Sequence, residues 1–430
     1  MTVSTVTARR RWLPEGFRKG FGPGLLWAAA AVGVSHLVQS TRAGALAGFE
    51  LAGIVLFALI LKYPFFEFAP RYAAATGWSL VEGYRRIGKW ALWLYFLLTL
   101  VSSVIVQAAI VLFTAFLLQR VMGVTWPITI VALLLMGGCA ALLWIGQFRL
   151  LDWVIKVVMA VLAVTTLLAA GLSLPRAEYS TLALWPTMGD GATVSFAFIL
   201  ALVGWMPSAI DISVWNSLWT LAKDRDSGAR ASVRVATFDF NVGYIGTAIL
   251  AFAFLLLGAT VMHGAGQTFS EQGPAFSVQL VDLYSTTLGE WMRPVVLAAV
   301  FTTMFSTSLT VIDGYPRALD RCIQAFDRHA QMPAPDAPTG NAYWVALVLL
   351  AVATYLVLTF FLGSLTTMVD FATIFTFLTA PVLGYLNMRA VTSPDVPPEA
   401  RPGPGLLALS YVGLILLGGT AIWYTVTLIL

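Results

Sequence analysis

The sequence predicts an all-α membrane protein of about eleven transmembrane helices, two of them broken, in two successive sets of about five with one helix to follow. Three observations carry this. The 430-residue chain is 59% hydrophobic and 11% charged, with a mean hydropathy of +0.83, whereas soluble domains carry roughly 25% charged residues. Apolar runs of about 20 residues, the length that crosses a bilayer, recur from end to end. Two of these runs are interrupted at mid-depth, by Gly33-Val34-Ser35-His36 in the first and by Gly204-Trp205-Met206-Pro207-Ser208 in the sixth.

The expected spans are Gly22–Ala47, Phe49–Ala75, Trp90–Leu118, Thr125–Ile145, Leu150–Leu172, Gly191–Trp219, Ala236–Met262, Trp291–Pro316, Tyr343–Phe361, Leu365–Met388 and Gly405–Leu428. Residues 1–21 form an N-terminal tail and 22–430 a single membrane domain. Within it the first set covers about 22–172, the second about 191–388, and the extra helix about 405–428.

Basic residues orient the chain. With the N-terminus inside, the inner segments hold nineteen lysines and arginines, among them Arg9, Arg71, Arg85, Lys223 and Arg317; the outer segments hold Arg120, Arg176 and Arg293. That asymmetry is the positive-inside rule. It places the N-terminus in the cytoplasm and the C-terminus outside, in a bacterial inner membrane or its equivalent. The net charge of +4 follows from this bias and is no sign of nucleic acid binding. Arg9-Arg10-Arg11 precedes an apolar helix, but no small-residue cleavage site follows, so no cleaved signal is expected. Cys139 and Cys322 lack metal-ligand spacing and read as free thiols. The proline-containing stretch from Arg328 to Asn341 reads as a cytoplasmic linker.

The interruptions point to function. In lipid an unpaired backbone group is so costly that broken helices survive only where they line a protein-enclosed cavity. A pair of them opening corresponding halves of a membrane chain marks the substrate site of a secondary transporter.

Several segments resemble the Nramp metal-ion transporters. Gly22-Pro23-Gly24-Leu25-Leu26 through Gln39-Ser40-Thr41-Arg42-Ala43-Gly44-Ala45 is similar to that family's first helix. Pro70 through Glu82, containing Ala75-Thr76-Gly77-Trp78-Ser79-Leu80, resembles its segment ending A-T-G-K-S-L-A-E. Met206-Pro207 matches the start of its M-P-H motif, and Ser306-Thr307-Ser308 resembles a hydroxyl-rich turn of its eighth helix. The resemblance implies the five-plus-five inverted repeat of the leucine transporter (LeuT) and alternating access. It also exposes departures. Where the family carries D-P-G-N, with a metal-binding Asp and Asn, this chain has Gly33, Val34, Ser35 and His36, and the M-P-H histidine is Ser208. The acids and arginines that proton-coupled members carry in helices 3 and 9 are absent; span 3 offers Ser102, Ser103 and Gln107.

The expected substrate site is therefore Gly33, Ser35, His36, Met206, Ser208, Asp211 and Thr373, with His36 and Met206 as metal ligands. Imidazole binds first-row transition metals, and a thioether favours softer ions. The plain alternative for His36 is a hydrogen bond to carbonyls freed by the break. Asp211 either supplies the negative charge lost with the family Asp or pairs with Arg42 or Lys62. Arg42 near a cation path repels the ion unless Asp211 or Glu50 neutralises it. Thr307 and Ser308 are a candidate sodium site, or bond back to their own helix. Asp370, Thr373 and Asn387 are further candidates, and Trp205 either gates the site or fills the core.

No phosphate loop, H-E-x-x-H or supported Ser/His/Asp arrangement is present, which points away from an enzyme. The expected function is transport of a divalent metal cation, manganese or iron favoured, without the family's proton coupling and with no cofactor beyond the transported ion. The alternative is a small organic solute on the same fold, coupled to sodium. A sensor on a transporter scaffold is a third class, without the cytoplasmic domain such sensors need. The expected partners are the lipid bilayer and the substrate, with neither nucleic acid nor an obligate protein partner.

Overall fold

A computed structural model describes residues 20–145, 148–187, 189, 193–326, 340–360 and 364–430, with backbone alone for 148–156, 158 and 159. The basic N-terminal tail, Gly191 and most of the stretch expected as a linker lie outside the described residues.

Every described segment of regular structure is helical. The first expected span is α1 (Pro23–Ala31), a π-helical stretch Ser35–Ser40, and α2 (Thr41–Ala47). The sixth is α8 (Phe196–Trp205) and α9 (Ile212–Ser227). Between them lie α3 (Ala52–Thr76), the short α4 (Leu80–Ile87), α5 (Lys89–Met122), α6 (Ile128–Ile145) and α7 (Phe148–Ser173). After them come α10 (Val233–Leu257), α11 (Gly273–Leu288), α12 (Arg293–Phe326), α13 (Asn341–Phe360), α14 (Leu365–Val391) and α15 (Pro404–Ile429). Eight of these helices are long and apolar enough to cross a membrane unbroken; the two broken pairs and α7 complete the expected eleven spans.

Two helices are additional to the expectation. α4 follows the second span and α11 follows the seventh, the same place in each set of five. α4 starts on a capping box, in which the Ser79 and Glu82 side chains satisfy each other's backbone donors. α12 runs ten residues beyond the expected end at Pro316. Proline costs that helix one donor, but the residues that follow are good helix formers, and Arg321 anchors the extension through a buried ion pair to Glu82 of α4, 2.5 Å.

The broken spans lie in the middle of the bundle. α1 packs on α10, α8 on α14, α9 on α3, and α12 on α5. α3 is mostly buried, whereas α6, α13 and α15 turn most of their surface outward. The outward residues are apolar, such as Leu133, Leu134, Ile415 and Ile422, which suits contact with acyl chains and no other solvent.

Candidate functional site

The first break is narrow. α1 ends at Ala31, Val32 and Gly33 leave the helix, and the chain resumes at Val34 in wide π turns. Of the expected interruption Gly33–His36, residues 34–36 are therefore helical, and the break covers Val32 and Gly33. A Cβ on Gly33 would lie 2.9 Å from the Thr307 side chain, so the glycine lets α12 approach the break without a shift of Thr307. The second break is wide, from Met206 to Asp211. Pro207 offers no N–H to continue α8. A Cβ on Gly204 would lie 2.0 Å from the Thr373 carbonyl oxygen, so the backbone of α14 presses directly on the end of α8.

The two breaks face each other across a cavity of about 30 Å³. Gly33, Val34 and Ser35 line one side, Trp205, Ser208 and Asp211 the other, with Thr307 and Tyr315 of α12 and Trp215 of α9 closing it. Of the expected site residues, Gly33, Ser35, Ser208, Asp211 and Thr307 reach this cavity.

His36, Met206, Thr373 and Ser308 do not line it. His36 points to α10: its Nε2 lies 3.0 Å from the Thr247 carbonyl oxygen and its Nδ1 2.7 Å from the Ser35 hydroxyl. A carbonyl only accepts, so Nε2 carries the proton and both ring nitrogens are engaged. Met206 is fully buried outside the cavity wall. The soft His–Met pair expected from the sequence is not assembled at the cavity: His36 is tied to α10, and Met206 is buried without lining the cavity. Ser308 exchanges a 2.8 Å hydrogen bond with Thr114 of α5, which separates it from Thr307, whose hydroxyl donates back to the Thr303 carbonyl at 3.1 Å. Among the described residues no cluster of three His, Cys, Asp or Glu side chains exists.

Asp211 is the cavity's acid. It is buried, and its Oδ2 accepts from the Tyr315 hydroxyl at 2.7 Å and more distantly from Ser102 at 3.5 Å. Its Oδ1 is buried without a partner. It makes no direct ion pair with Arg42 or Lys62, though Lys62 is near enough to act on its charge. Arg42 instead makes a two-pronged ion pair with Asp370 of α14, at 2.6 and 3.0 Å. Gln39 joins this clasp, donating to Asp370 at 3.1 Å and to the Thr373 hydroxyl at 3.2 Å while accepting from Arg42 at 2.8 Å. Asp370, rather than Asp211 or Glu50, therefore neutralises Arg42. Asn387 is a structural tie, donating to the Phe65 carbonyl at 2.8 Å and to Ser213 at 2.9 Å and accepting from Tyr84.

Sequence reasoning did not find Tyr315, which carries no motif. It named Lys62 only as a partner for Asp211. The signal that could have set Lys62 apart was a lysine halfway along an otherwise apolar span, a position that demands an internal partner.

Two sets of five spans, each opened by a broken helix, with the breaks meeting at a small acidic cavity, define a secondary membrane transporter of the LeuT-fold class. Within that class the chain belongs to the Nramp family: residues 24–427 match the family described as natural resistance-associated macrophage protein-like. An uncharacterized protein of Pasteurella multocida (strain Pm70), PM0681, is 38% identical over 405 residues, covering 92% of this chain and 89% of its own. Among solved structures, a mutant of the Eremococcus coleocola manganese transporter superposes with a TM-score of 0.70 at 17% identity, covering 96% of this chain and 88% of that one. MhsT in complex with L-phenylalanine gives 0.61 at 12% identity, covering 96% and 99%. Mhp1, a nucleobase-cation-symport-1 family transporter with bromovinylhydantoin bound, gives 0.58 at 14%, covering 94% and 91%. At these identities the structural likenesses establish the fold alone.

Proposed function

We propose that the chain transports a divalent metal cation, bound between the two breaks with Asp211 as its charged ligand. The observation that carries this is a buried carboxylate, Asp211, whose Oδ1 has no well-formed hydrogen bond, in the wall of a cavity of about 30 Å³. A lone buried carboxylate oxygen is costly unless something positive or hydrogen-bonding occupies its front. A volume of this size takes an ion or a couple of waters. The lining residues that carry side-chain oxygens are Ser35, Ser208, Asp211, Thr307 and Tyr315, among a mostly apolar wall. Oxygen sites suit harder cations such as manganese, magnesium and calcium over softer ones, which moves the preference away from the soft site that His36 and Met206 would have made. Membership of the Nramp family, and the manganese transported by the Eremococcus coleocola protein, support a metal substrate.

One feature favours the rival organic solute: Trp205 and Trp215 line the cavity with indole nitrogens that have no partner, a wall that suits a planar molecule. Proton coupling of the family type has no acid in span 3 and no Lys or Arg in span 9 to run on. The repeats at about 22–172 and 191–388 are supported by the matching places of α4 and α11, and the cytoplasmic N-terminus by the distribution of Lys and Arg.

The test is uptake into proteoliposomes of manganese, magnesium and cadmium, with an internal pH dye, for wild type and Asp211→Asn. Wild type should take up manganese or magnesium without matching acidification, and Asp211→Asn should not. Uptake of an organic solute with no metal flux would overturn the reading in favour of the rival.

A further inference from the structure

The least expected charge in the bundle is Lys62. It sits midway along α3 and is 1% exposed. Its ammonium donates to three backbone carbonyls: Val203 at 3.0 Å, Gly204 at 2.9 Å and Ser208 at 2.6 Å. An ammonium has three protons, and all three are used on backbone. Among the described residues no carboxylate forms a direct ion pair with it, Asp211 acting on it only through its charge, without contact; the Phe66 ring lies 5.8 Å away.

These carbonyls belong to the second break. Val203 and Gly204 lie in the last turn of α8; Pro207, four residues past Val203, has no N–H to offer, and the Val203 carbonyl instead takes a 3.3 Å bond from the Met206 N–H beside that from Lys62. Ser208, four past Gly204, has already left the helix. Carbonyls freed in this way carry the negative end of the half-helix dipole and in a membrane cannot be left bare. In transporters built on broken helices, unwound carbonyls and half-helix C-termini are where small inorganic cations bind. Here the chain supplies the cation itself.

We propose that the carbonyls of Val203, Gly204 and Ser208 form a monovalent-cation cage whose resident is the Lys62 ammonium. Lys62 is thus a tethered cation: it holds the second break in its open, carbonyl-exposing shape and removes the need for a free coupling ion at this position. Its role is positioning, since Ser208 and Asp211 of the same break line the cavity. The proposal concerns the break and holds whether the cavity takes a metal or another solute. It also assigns the vacated cage a ligand class, small cations that donate N–H bonds, with ammonium and methylammonium as the simplest members.

The experiment is chemical rescue, read as thermal unfolding of purified protein, so it does not depend on knowing the substrate. Lys62→Ala should unfold at a lower temperature than wild type. Methylammonium should raise its midpoint by roughly 2–4 °C by binding the folded state alone. Tetramethylammonium, which has the charge but no N–H donor, should not, and wild type should respond to neither. Lys62→Met fills the space without a charge and should be destabilised and unrescued, while Lys62→Arg, with charge and donors, should stay closer to wild type. Equal responses of Lys62→Ala to the two ammonium salts would overturn the proposal, as would a Lys62→Met protein as stable as wild type. Should Lys62→Ala fail to accumulate, the Met and Arg variants decide alone: loss with Met and retention with Arg supports the cage, and equal behaviour refutes it.

Discussion

The Tyr315 hydroxyl donates to Asp211 Oδ2 at 2.7 Å and leaves Oδ1 without a well-formed hydrogen bond. This single bond ties α12 to the second break and aims the carboxylate. If Asp211 is the charged ligand, Asp211→Asn should weaken manganese binding by more than about tenfold, or 1.4 kcal/mol, and abolish uptake. Tyr315→Phe keeps the charge and should retain uptake with an altered KM, while costing roughly 1.5–3 kcal/mol of stability for a hydrogen bond to a charged group. Isothermal titration and flux measurements on the two variants check this.

His36 and Met206 provide the complementary test. Both side chains are fully buried and neither lines the cavity. His36→Ala and Met206→Ala should lower the unfolding midpoint, with the Met206 truncation costing about 2–5 kcal/mol as a buried large-to-small change. Neither should alter the ranking of manganese, magnesium and cadmium in competition binding. A selective loss of cadmium binding would show that these side chains do reach the ion.

Gly204→Ala should be among the most damaging single-methyl changes in the chain. The added carbon would sit 2.0 Å from the Thr373 carbonyl oxygen, and backbone cannot rotate aside. Overpacking costs typically about 1–3 kcal/mol and occasionally more. Gly33→Ala meets only the end of the Thr307 side chain, at 2.9 Å, and should cost less. Thermal unfolding of the two variants side by side gives the order.

The Arg42–Asp370 clasp predicts an asymmetric response. Asp370→Asn strands a mostly buried guanidinium, since the Arg42 side chain is 11% exposed, and should destabilise by about 1–3 kcal/mol. The fully buried case would cost more, but the Asp370 side chain is 28% exposed and water offsets part of the loss. The double variant Arg42→Gln with Asp370→Asn should recover part of the stability. A double-mutant cycle with no coupling would show the clasp to be incidental.

Outside the membrane, the Thr193 hydroxyl and the Thr187 backbone N–H hold the Glu50 carboxyl below the usual carboxylate range, each at 2.7 Å. A lowered folded-state pKa means the stabilisation is fully present above the ordinary value of 4.5 and is lost as pH falls through the lowered one. Glu50→Gln should therefore be slightly less stable than wild type at about pH 7, with the gap closing as the pH falls below 4.5 and through the lowered value. Glu50 is largely exposed, so the difference should be small and shrink in salt. Unfolding midpoints followed across this pH range are the check.

How much of this was legible beforehand differs between backbone and side chains. Eleven spans and both breaks can be read from the sequence. Bilayer thickness dictates apolar length, and lipid forbids unpaired backbone, so Gly33, Gly204 and Pro207 mark interruptions without reference to any neighbour. The acid at the cavity, Asp211, was legible for the same reason: it is the one carboxylate in its span. What the sequence by itself could not determine is where a side chain points once a helix is broken. Across a break the helical period no longer relates one residue to the next, so His36 and Met206, adjacent to the interruptions in sequence, are buried without lining the cavity. Lys62 and Tyr315, on other spans, turn toward the breaks. Only the docking of α3, α12 and α14 against the breaks decided these directions. Helix packing in a membrane follows close van der Waals contact and interhelical hydrogen bonds, which are properties of the assembled bundle and of no single segment.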